Sequence, residues 1–120
     1  MNESFPRVEI IDGMMSIDFV ASDATRSHTV TCVLDYTDFG DPVGIEVLDW
    51  SHQLSGGYID APSVSGQVRW SYDDEIDALY IHTSNARGQN QQRTTATVRL
   101  DASQRVVALL IALPSPPTRS

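Results

Sequence analysis

Two stretches of this chain carry the same alternation of apolar and polar residues about 64 positions apart. That repetition constrains the fold more than any single motif. Met15 and Ile17 find counterparts in Leu79 and Ile81, and Val43-Gly44-Ile45 in Val107-Ala108-Leu109, both at an offset of 64. Leu34-Asp35 aligns with Leu100-Asp101 at an offset of 66. A duplicated chain must place equivalent faces in equivalent surroundings, which narrows the architectures open to it. Half of a 120-residue chain buries too little surface to be comfortable alone, so two copies are expected to share one core.

The alternation has the two-residue period of a half-buried strand. Val30, Cys32, Leu34 and Tyr36 share one face, with Thr29, Thr31, Val33 and Asp35 on the other; Ala96, Val98 and Leu100 oppose Thr95, Thr97 and Arg99 in the same way. Strands are expected near 7–12, 14–21, 29–37 and 43–49, and again near 67–72, 77–84, 93–101 and 105–113. Asp12-Gly13 is a hairpin signal, since glycine tolerates the positive φ of a primed turn. Thr37–Pro42 and Asp101–Gln104 join the third and fourth strands of their copies. The pattern predicts an all-β protein with little helix. Its eight mostly antiparallel strands would form two four-stranded meander repeats, 6–50 and 67–113, closed as a barrel or sandwich. Residues 51–66 read as a linker with room for a short helical turn, and the proline-rich 114–120 as a mobile tail.

Charge narrows the function classes. The net charge is −8, and all eight basic residues are arginine. Binding nucleic acid through its phosphates needs a basic surface, so no direct nucleic-acid contact is expected. Residues 1–60 hold eleven acids and two bases, whereas 61–120 hold five acids and six bases. This asymmetry means either two differently decorated solvated surfaces or an acidic half facing a basic protein partner. No apolar run approaches the roughly 18 residues of a membrane span, and the N-terminus lacks the basic and apolar regions of a secretory signal. The lone Cys32 fits a reducing compartment and a role as a small core hydrophobe. A cytoplasmic protein without membrane association is expected.

The run Tyr72-Asp73-Asp74-Glu75-Ile76-Asp77-Ala78-Leu79-Tyr80-Ile81 resembles the opening signature, Y-D-x-x-x-D-x-L-Y-I, of the bacterial family called domain of unknown function 2283. Val98-Arg99-Leu100-Asp101 resembles that family's V-x-L-D, and Leu34-Asp35-Tyr36 with Val43-Gly44-Ile45-Glu46-Val47-Leu48-Asp49 its closing signature, which ends V-V-G-I-E-V-L. Each copy keeps a different part of the pattern. Asp12-Gly13-Met14-Met15 replaces the opening in the first, and Ala108-Leu109-Leu110 replaces Gly-Ile-Glu in the second. The family carries no established activity. The resemblance implies that any site needing both signatures is shared between the copies. Some members sit beside small toxin-like proteins, which implies an antitoxin-like or interaction role.

Three groups of residues are candidates for function. Asp73, Asp74, Glu75 and Asp77 form either an oxygen-rich cation site or a turn in which aspartates accept backbone amides. Tyr80 alternates out of phase with Leu79 and Ile81 and is expected on the second sheet face beside Trp70 or Tyr72, where aromatics stack a ligand or cover the sheet. Tyr72, Asp73, Asp77 and Tyr80 are therefore the ligand or metal candidates. Val106–Leu113 is apolar without a break, so both faces of that strand must be covered, either by the barrel and the inter-copy linker or by another subunit. Leu110 stands where the first copy has Glu46, and Leu109, Leu110 and Ile111 are the expected subunit interface of a homo-oligomer. His28, His52 and His82 are too scattered for a metal site. No phosphate loop, serine elbow or paired Cys/His spacing is present, so no catalytic residue and no cofactor are expected. These features point to a non-catalytic protein-interaction module, homo-oligomeric and antitoxin-like with a basic partner, or alternatively to a small-ligand or divalent-metal-binding β-barrel.

Overall fold

The structure is a computed structural model that describes residues 5–114. Four hairpins supply most of it. β1 (Arg7–Ile11) pairs with β2 (Met14–Asp18), and β3 (Arg26–Tyr36) with β4 (Pro42–Val47). β6 (Val68–Asp73) pairs with β7 (Ala78–His82), and β8 (Asn90–Leu100) with β9 (Val106–Ala112). Between the second and third hairpins lie a four-residue helix α1 (Trp50–Gln53) and a two-residue strand β5 (Val64–Ser65). The all-β expectation holds, and the strands are joined in one nearly closed, barrel-like antiparallel sheet. The tail expected at 114–120 lies, beyond Pro114, outside the described residues.

The strand order, β1-β2-β9-β8-β3-β4-β7-β6-β5, differs from two separate four-stranded meanders. Each half of the chain contributes two hairpins, and a hairpin of the other half sits between them. The physical reason lies in the connections. Crossing from β2 to β3 past two intervening strands requires about 14 Å, three strand spacings. The seven residues 19–25 reach about 23 Å when extended. Residues 83–89 make the matching crossing from β7 to β8. Interleaving also separates the acids of β1–β2, Glu9 and Asp18, from those of β3–β4, Asp35 and Glu46, by the two strands β9 and β8.

Exchange of the two halves leaves the order of the eight longer strands unchanged, and the hydrogen bonds follow the same exchange at an offset of 64. Ile17 pairs with Leu109 as Ile81 pairs with Ile45. Phe19 N–H donates to Val107 O, and Thr83 N–H to Val43 O, each at 2.8–2.9 Å. Thr25 N–H donates to Leu100 O, and Gln89 N–H to Tyr36 O. The β3–β4 and β8–β9 turns are also alike. Thr37 Oγ1 accepts the amides of Phe39 and Asp41, and Asp101 Oδ1 accepts those of Ser103 and Arg105. Gly40 and Gln104 both have positive φ, 87° and 74°. The structural counterpart of Asp101 is thus Thr37 rather than Asp35. The sequence alignment at offset 66 is therefore corrected to 64, and the two turns have equal length.

The core lies on the concave face. Met15, Ile17, Leu34, Val47, Leu79, Val98, Leu109 and Ile111 are all at most 1% exposed. Trp50, at the end of the expected first repeat, and Leu54, from the segment expected to be a linker, complete it. The uninterrupted apolarity of β9 now has a cause. A bulge opposite Arg99/Leu100 inserts Val107, just as one opposite Asp35/Tyr36 inserts Val43. Leu109 and Ile111 point into the chain's own core, so these two cannot form a subunit interface. Leu110, half-buried and directly across from Ser16 and Thr97, is the one of the three that reaches the outer face. Among the described residues no helix is long and apolar enough to cross a membrane.

Candidate functional site

Residues directly opposite in an antiparallel ladder share a face. Trp70 lies opposite Ile81 and Tyr72 opposite Leu79, so both aromatics stand on the concave, core side of β6. Tyr80 lies opposite Ser71 and Glu46 and stands on the convex side. The expectation that Tyr80 joins Trp70 and Tyr72 is therefore corrected: the register puts them on opposite faces. Tyr80 donates instead to the Glu46 carboxylate, which together with partial desolvation raises its phenol pKa.

Of the four candidates, Tyr72 and Asp77 come together. The Tyr72 hydroxyl donates to Asp77 Oδ1 at 2.5 Å. Asp77 also accepts the Ser51 amide at 3.1 Å and the Ser51 hydroxyl at 2.7 Å. The backbone of Asp77, held at φ 54°, accepts the Trp50 amide. The side chain of Asp49, which opens α1, makes no capping hydrogen bond, so the carboxylate of Asp77 satisfies that first turn from the β6–β7 hairpin. The Tyr72 and Ser51 hydrogen bonds outweigh desolvation and hold the Asp77 carboxyl below the usual carboxylate range, while the same contact raises the Tyr72 phenol. Asp73 has a local task, accepting the Glu75 amide at 3.0 Å in the turn. Among the described residues, no three His, Cys, Asp or Glu side chains converge as a metal-holding group. The acidic run is a turn and an anchor for α1.

The anchored segment shapes a cleft. Trp50, Ser51, Gly57, Tyr58, Ile59, Trp70, Tyr72 and Leu79 line a space of about 360 Å³ between it and β6–β7. Tyr58 is fixed to the β8–β9 end by Tyr58 N–H to Gln104 O and Val106 N–H to Tyr58 O. Pro62 O accepts the Trp70 indole N–H at 2.9 Å on the other side. The segment thus spans the concave face from β9 to β6. Treating 51–66 as a linker missed this wall, although Tyr58 and Ile59 are large apolar residues of a kind that solvated linkers seldom carry.

A second feature lies at the other end of the sheet. β1 is an edge strand without proline or lysine, and Ile10 and Ile11 are 51% and 64% exposed. On the convex face Ile11, Met14 and Leu110 line a shallow depression with Glu9 and Ser16. The equivalent place in the other half carries the Tyr80–Glu46 pair. The opposite edge ends in β5, only two residues long.

No family model, curated protein or solved structure matches this chain.

Proposed function

We propose that the protein is a non-catalytic interaction module that self-associates along the β1–β2 end of its sheet. One observation carries this reading: among the described residues, one sheet edge is blunted by the two-residue β5, while the other is left open at β1 beside the apolar patch of Ile11, Met14 and Leu110. Open, apolar edges invite strand addition, and soluble chains ordinarily blunt both. The occupant is a second copy of the chain, and Leu110 in place of Glu46 is the substitution that makes the two halves unlike. The resemblance to the domain of unknown function 2283 family adds an antitoxin-like role with a basic partner, favoured by the net charge of −8. The lone buried thiol of Cys32 suits a cytoplasmic setting.

The offset of 64 shared by registers, crossover hydrogen bonds and turns supports tandem duplication as the origin of this half-and-half design. The test of the interaction reading restores the polar residue of the matching half. Leu110→Glu is expected to lower the mass measured by light scattering to that of a monomer while circular dichroism stays unchanged. An unaltered assembly in that variant would remove the patch from the interface and the reading with it. A second reading, a small-ligand-binding barrel, is favoured by the aromatic cleft.

A further inference from the structure

Taking the cleft as a binding site, we propose that it receives an organic cation, an alkylated ammonium or guanidinium group, against its aromatic walls. Four of the eight lining residues are Trp50, Tyr58, Trp70 and Tyr72, whose ring faces attract positive charge. The polar groups around them favour a cation over other ligands. Ser51 spends its amide and hydroxyl on Asp77, Tyr72 spends its hydroxyl on the same carboxylate, and Trp70 spends its indole N–H on Pro62. Those donors are therefore committed, and an anion or a sugar would find few of them free. The hydrogen bond from Tyr72 to a carboxylate enriches its ring in electron density, which strengthens attraction for a cation. Asp77 itself, one hydrogen bond behind two lining residues, stays ionised and adds a negative field.

Nearby positive charge does not compete strongly. Arg105 is engaged by Asp101 at 2.9 Å and by Asp60 at 3.7 Å. His52, 3.9 Å from Asp77, is 88% exposed and directed mainly to solvent. The whole chain carries −8, so long-range attraction and the local site act in the same sense. The cleft volume of about 360 Å³ falls within the range of small-molecule sites and suits a group of several heavy atoms.

The experiment is a two-dimensional NMR titration of the full chain that follows the two indole signals. The probes are choline and its neutral carbon isostere 3,3-dimethyl-1-butanol, joined by short peptides carrying one trimethyllysine or one arginine. Choline or a cationic peptide is expected to bind about tenfold more tightly than the isostere. Tyr72→Leu, a change at an exposed position, is expected to erase that preference, whereas Tyr72→Phe, which keeps the ring, retains most of it. Tighter binding of a peptide than of choline assigns the cation to a partner protein's side chain; equal or weaker binding assigns it to a free small molecule. If the isostere binds as well as choline, the cleft remains a binding site and the cation assignment is overturned. If no probe shifts the Trp50 and Trp70 signals, both the site and its ligand class are overturned.

Discussion

Leu109→Ala and Leu110→Ala, adjacent substitutions of the same chemistry, should differ severalfold in cost. Leu109 is fully buried between Ile17 of β2 and Val98 of β8, whose backbones are fixed by ladders on both sides. Deleting three carbons there forfeits about 2.4 kcal/mol of transfer free energy at ~0.8 per methylene. The ladders prevent collapse of the hole, and the residual cavity adds about 1 kcal/mol. The total, about 3 kcal/mol, corresponds to a fall in Tm of roughly 12 °C for a chain of this size. Leu110 faces outward and is only partly buried, so its truncation leaves no enclosed cavity and costs about 1 kcal/mol or less. Urea unfolding followed by tryptophan fluorescence, at a concentration low enough to suppress association, measures both. Comparable losses from the two variants, or a Leu109→Ala cost below about 1 kcal/mol, would refute the face assignment and the bulge at Val107 on which it depends.

Two further outcomes follow from the same structure. Burial pushes the Cys32 thiol up to about 11, and the residue is 4% exposed; a thiol reagent at pH 8 should label it slowly in the native state and rapidly in urea, and fast native labelling would contradict its core position. The Asp77 carboxyl has its pKa lowered in the folded state, chiefly by the Tyr72 and Ser51 hydrogen bonds. Its contribution is therefore present above the unfolded carboxylate pKa and is lost as pH falls through the lower folded value. Asp77→Asn should flatten the acid limb of a stability-versus-pH curve, and an unchanged limb would show that the α1 anchor is energetically silent.

Much of the fold was legible because period-two alternation reports each strand directly. All eight expected strands occur, most with ends displaced by one to three residues. The strand order was not legible, because an interleaved pair of hairpins and a contiguous meander demand the same alternation along each strand. Only the reach of 19–25 and 83–89 separates them. The neighbours of Tyr80 were misjudged for a related reason. Its phase relative to Leu79 and Ile81 correctly put it on the convex side, but the faces of Trp70 and Tyr72 depend on a register set by the turn at 74–77. The apolar run in β9 left cover by the barrel itself and cover by another chain both open, and most of the cover is internal. The bulge absorbs Val107, the core takes Leu109 and Ile111, and Leu110 alone is left over. The cleft was hidden in the segment with the least periodicity, where Tyr58 and Ile59, with Trp50 just before it, were its signal.

The central claim is that the open β1 edge and its neighbouring patch join copies of this chain. Sedimentation velocity of the wild-type protein over a hundredfold concentration range tests it most directly. The account predicts a species of twice the monomer mass of 13.2 kDa or larger that dissociates on dilution. A single monomeric boundary at every concentration would contradict it.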